Sequence, residues 1–144
     1  MELIGGEGRL TINLLEDPLV QIAQEVDLRV SVSAKAGAFA AEVNSVWLEW
    51  AELRAFREEL HELNQLLKGK AEISAMSPNQ FWLKLELLDS KGHIGVHFSL
   101  GKLMRTDNGL FENQMRGGFE VEPAGVKLLY EWLSEVIAMK IGNP

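Results

Sequence analysis

The side chains best equipped for chemistry are His93 and His97, four residues apart, with acids on either side. On a helix that spacing would set both imidazoles on one face, where they could share a metal ion. Here Ile94, Val96, Phe98 and Leu100 alternate with His93, Gly95, His97 and Ser99, which is the period of a strand. Four residues along a strand span roughly 13 Å, too far for one ion to be held by both rings. No metal site is expected, and the two histidines read as structural or partner-contacting groups. His61 falls beside the apolar stripe of a helix and reads as solvent-side packing.

The acids Glu52, Glu58, Glu59 and Glu62 read as a solvated helix face, with Glu58 and Glu62 neighbours at i,i+4. Ser31, Ser99, His97 and an acid could be assembled into a nucleophilic set, but such a combination arises by chance in most chains. No Gly-x-Ser-x-Gly elbow and no His-Glu-x-x-His pair occurs. Gly5-Gly6-Glu7-Gly8 neither follows a strand nor opens a helix, so it reads as a turn, not a phosphate loop. Arg116-Gly117-Gly118 reads as a bulge or sharp bend. Catalysis has no support from residue types and spacing, and no cofactor is expected.

These residues sit in 144 positions, a length that predicts one domain, residues 1–144. With 47% hydrophobic and 24% charged residues the chain is of ordinary globular composition, which excludes a disordered or low-complexity protein. It has no cysteine, which removes thiolate nucleophiles, disulfides and Cys metal sites and agrees with a reducing compartment. Fourteen basic against twenty-one acidic residues leave a net charge of −7. The basic residues are scattered, so nucleic acid is a poor partner, and a neutral or basic protein is a better one. No signal-peptide pattern opens the chain and no apolar run approaches bilayer length, so a cytoplasmic protein without membrane contact is expected.

The elements that must position the candidates follow from periodicity. Arg9 to Leu14, Leu28 to Ser33 and Phe39 to about Trp47 alternate as strands, the last with Phe39, Ala41 and Val43 inward. Asp17-Pro18 marks a turn between the first two of them, and Lys35-Ala36-Gly37 a hairpin turn. From Trp50 the period changes, and Leu53, Phe56, Leu60, Leu63 and Leu67 form one stripe of a helix with Gly69 as its cap. Ile73, then Phe81 to Leu87, then Ile94 to Leu100 resume the alternation. Arg105 to Gln114 reads as a mobile loop around Thr106-Asp107-Asn108-Gly109, and Phe119 and Val121 as a last short strand. Pro123 opens a closing helix marked by Val126, Leu129, Tyr130, Leu133, Val136 and Ile137, fraying near Gly142. No internal repeat is visible.

Clean alternation implies a sheet with one dry and one wet face. The expected fold is therefore α+β and two-layered: a mainly antiparallel sheet of about six to eight strands with two helices packed on one face. Its core is expected from Leu53, Phe56, Leu60, Leu63, Leu83, Leu85, Val96, Phe98, Leu129 and Leu133. The wet face would then carry Arg29, Trp82, Lys84, Glu86, His93 and His97, including the two residue types most enriched in binding hot spots. Those six are the candidate partner-binding residues. A loop or a second copy of the chain covering Trp82 explains the same pattern, so a homo-oligomer stays open.

The order of elements resembles that of the WapI-type immunity proteins, which bacteria encode beside polymorphic toxins. The similar parts are Val43-Asn44-Ser45-Val46-Trp47-Leu48 running into Glu52-Leu53 and Phe56, the return Gly92-His93-Ile94-Gly95-Val96, and Phe119-Glu120-Val121-Glu122 leading into Leu128-Leu129. The likeness spans about Leu28 to Val136. It implies a non-enzymatic protein that binds and neutralises a cognate toxin, without cofactor or metal. The alternative from the residues alone is a small-molecule-binding or hydrolytic α+β domain using the open sheet face.

Overall fold

In the computed structural model, which describes residues 1–15 and 27–140, the chain is mixed α+β and mostly antiparallel sheet. Its elements are β1 (Glu2–Gly5), β2 (Gly8–Leu14), β3 (Leu28–Ala36), β4 (Phe39–Leu48) and α1 (Trp50–Leu66), then β5 (Lys70–Ser74), β6 (Phe81–Leu87), β7 (Ile94–Thr106), β8 (Gly109–Val121) and α2 (Pro123–Lys140). The class, the antiparallel pairing and the two helices are as expected. The strands divide into two four-stranded sheets, ordered β1-β2-β3-β4 and β5-β6-β7-β8. Four strands and a helix thus occur twice in succession, a repeat of architecture that the residues themselves do not display.

Each sheet buries the face its alternation marks. In the first, Leu3, Leu10, Val30, Val32 and Val46 point inward, and in the second Ala71, Leu83, Leu85, Val96 and Phe98 do so. Every residue expected in the core is no more than 3% exposed, and the residues join one apolar cluster with both sheets and both helices. α1 lies against β5 and α2, while α2 lies against α1 and β1, so each helix covers the first strand of the other half.

Local chemistry explains the ends of α1. Its first N–H group, on Trp50, donates to Asp27 Oδ1 at 3.1 Å, a cap supplied from the approach to β3 instead of from Glu49. Leu67, at φ 48°, takes the left-handed cap position, two residues before the expected site at Gly69, and so leaves the buried stripe and becomes exposed. Glu59 is not simply solvated: its Oε1 accepts the Glu72 backbone N–H at 3.1 Å and so closes the outer edge of β5.

Four expectations need correcting. β1 exists, paired with β2 through a turn in which Gly6 has φ 54°, so four strands and not three precede α1. Phe39 is 71% exposed because it stands at the β3–β4 hairpin end, past the covered part of the sheet. Arg105 to Gln114 is not a loop but the distal part of a regular β7–β8 hairpin, paired from Ile94↔Val121 to Thr106↔Gly109. The register of that pairing never shifts, so Arg116-Gly117-Gly118 is no bulge. These glycines mark close approach instead: a Cβ on Gly117 would lie 2.7 Å from the Phe98 ring and 3.3 Å from Ala36 of the first sheet. Asp17-Pro18 and Gly142 lie outside the described residues.

Candidate functional site

The uncovered face of the second sheet is built as three cross-strand rows. Lys70, Glu86, Gly95 and Glu120 form one, Glu72, Lys84, His97 and Gly118 the next, and Ser74, Trp82, Ser99 and Arg116 the third. Alternation on β6 aims Trp82, Lys84 and Glu86 outward because Phe81, Leu83 and Leu85 are claimed by the core. Five of the six expected site residues are thereby brought together. Arg29 is the exception. It projects from β3 in the other sheet, where its Nε donates to Ser45 Oγ at 2.9 Å and its guanidinium lies over Trp47.

The polar groups hold one another in place. Glu86 receives Lys84 Nζ at 3.0 Å on one carboxylate oxygen and has His97 Nε2 at 3.0 Å from the other. The Lys84 contact, with His97 adding to it and partial burial opposing, holds the Glu86 carboxyl below its ordinary range. The His97 ring reaches Glu86 across Gly95, where a Cβ would lie 3.3 Å from Nε2, and Leu88 lies over the same spot. His97 Nε2 is therefore buried although it is not aligned as a hydrogen bond. Trp82 is half-buried and its indole N–H donates to Glu72 Oε2 at 2.8 Å, which fixes the ring against the sheet.

His93 stands just before β7, not within it, and is clamped from the turn side. Its Nδ1 meets Asp89 Oδ2, while Asp89 Oδ1 accepts the backbone N–H groups of Lys91 at 2.8 Å and His93 at 3.3 Å. Asp89 raises the His93 imidazole above its ordinary value, with Glu120 and Glu122 adding to it, and His93 in return lowers Asp89. Beside Trp82 the face deepens into a cleft of about 390 Å³ lined by Ser99, Gln114, Arg116 and the turn from Ser77 to Asn79.

Sequence reasoning missed Arg116 and Gln114, which lie in a stretch without clean alternation, and Trp47, read only as the end of a strand. It also missed Glu72, whose link to Trp82 depends on the β5–β6 register. No group of three or more His, Asp or Glu residues that could hold a metal ion occurs among the described residues. No described helix is long and apolar enough to cross a membrane. What the face can do chemically is offer an aromatic plane, an arginine and alternating charges, all on a rigid sheet.

The fold has counterparts among solved structures. WHY1 from Arabidopsis thaliana matches with a TM-score of 0.50 at 13% identity, covering 99% of this chain and 90% of its own. WHY3 from the same plant matches with a TM-score of 0.47 at 14% identity, covering 99% of this chain and 88% of its own. At such identity the WHY1 likeness speaks for the fold alone. No curated protein matches the sequence. The immunity protein WapI-like family, by contrast, matches residues 2–139, nearly the whole length, and the chain belongs to that family.

Proposed function

We propose that this protein is a non-enzymatic, cytoplasmic immunity protein that binds a cognate secreted toxin and thereby neutralises it, with the uncovered face of the second sheet as the binding surface. The observation that carries the reading is the family match over residues 2–139. Physical support comes from the face itself. Trp82, Lys84, Glu86 and His97 are fixed by their neighbours on a sheet whose other side is buried core, so little side-chain entropy remains to be lost on docking. The net charge of −7 favours a basic partner through faster association.

The experiment is to express the reading frame beside the gene with and without this protein. Growth restored by co-expression, together with a complex that survives purification, is the expected result. A toxin that stays fully active in the presence of folded protein would overturn the proposal.

A further inference from the structure

Each four-stranded sheet has two edges, and three of the four are covered along part of their length. Glu59 closes β5, β1 lies against α2 and β8, and β4 is bonded by the β5–β6 connection through Met76 N–H to the Trp47 carbonyl and Gln80 Nε2 to the Ser45 carbonyl. β8 is different. Along Gly109 to Val121 no backbone hydrogen bond other than those to β7 is formed among the described residues. Long unpaired edges of this kind are templates for another strand, and proteins usually blunt them.

The direction of the free groups is fixed by the other side of the hairpin. Gly101 donates its N–H to the Gln80 carbonyl at 3.0 Å, so it faces away from β8. In an antiparallel pair opposite residues bond each other together or not at all, so Gln114, the partner of Gly101, turns its N–H and C=O outward. Leu110, Glu112, Arg116 and Gly118 do the same by alternation. At Glu120 the edge ends, because β1 crosses there: a Cβ on Gly5 would lie 1.8 Å from the Glu120 carbonyl oxygen.

The charges on this stretch are self-complementary. Glu112 and Arg116 stand on the exposed face, four residues and roughly 13 Å apart along the strand, too far to pair with each other. Neither forms an ion pair among the described residues. We infer that the β8 edge is an interface with a second copy of this chain, paired antiparallel about a two-fold axis at Gln114. That register opposes Glu112 of each copy to Arg116 of the other, twice, and bonds Gln114 to its own counterpart. It pairs residues 110 to 118, the length of edge left open. Shifting it by one step in either direction removes both ion pairs.

The test is solution mass by sedimentation velocity on the full chain. The unmodified protein is expected as a dimer. Arg116→Glu and Glu112→Arg, both exposed, are each expected to raise the dimer dissociation constant about tenfold or more, since each opposes like charges twice. The double variant Glu112→Arg/Arg116→Glu exchanges the charges and is expected to restore the dimer, while circular dichroism shows each variant folded. A monomeric unmodified protein, or a dimer indifferent to both single variants, overturns the interface. Failure of the double variant to restore it overturns the register.

Discussion

The Arg29 guanidinium carbon lies 6.0 Å from the centroid of the Trp47 ring, its direct cross-strand partner on β4. This cation–π pair belongs to the first sheet, whereas Trp82 belongs to the second. Two aromatic and cationic surfaces are thus available to a partner, and mutation separates them. With the cognate toxin, Trp82→Ala is expected to lower affinity by about 2 kcal/mol or more, mainly through faster dissociation. Glu58→Ala on α1 should cost far less. Surface binding kinetics decide: loss at Arg29 or Trp47 alone moves the site to the first sheet, and loss at Glu58 alone moves it to the helices.

Leu85 is fully buried opposite the equally buried Val96, at the centre of the second sheet. Leu85→Ala leaves a cavity there and is expected to destabilise by about 2–5 kcal/mol. A urea midpoint unchanged by the substitution would contradict the register.

The crossing of the two sheets depends on missing side chains. A Cβ on Gly8 would lie 2.1 Å from the ring of Phe119, so Gly8→Ala must push β2 and β8 apart. The expected cost is about 1–3 kcal/mol, read as a fall in thermal midpoint. An unchanged midpoint would mean that the sheets do not meet there.

The His93–Asp89 contact carries a pH signature. His93 is raised, so its share of stability is complete below its ordinary value of about 6.5 and fades as pH rises through the higher folded value. Asp89 is lowered, so its share is complete above about pH 4 and fades as pH falls through the folded value. The contact is therefore strongest between those limits. By NMR, Asp89→Asn should lower the titration midpoint of His93, and identical titration curves would refute the pairing.

Much of this was legible from the chain because one face of most strands is dry. Leu83 and Leu85, or Val96 and Phe98, can alternate only if one side is core, and the stripe from Leu53 to Leu63 can only be a covered helix. Where neither face is covered the pattern vanishes. Leu103-Met104 and Leu110-Phe111 are adjacent apolar pairs on an arm exposed on both sides, and they gave no period to read. β1 is too short to show one. Alternation also assigns a residue to a face but not to a sheet, which is why Arg29 could be read as a neighbour of Trp82. The Trp82–Glu72 bond needed the β5–β6 register, which no local pattern encodes.

The exchange of helices between the halves has a consequence for biosynthesis. β1 is separated from the helix that lies against it, α2, by the eight other elements of the chain, and so leaves the ribosome well before it. Until α2 is made, Leu3 on the first sheet lacks the cover that this helix provides. The nascent chain must therefore carry bare apolar surface while the elements between them are synthesised. The first sheet is closed only once α2 has been made, so a chain that stops short of α2 keeps that surface bare.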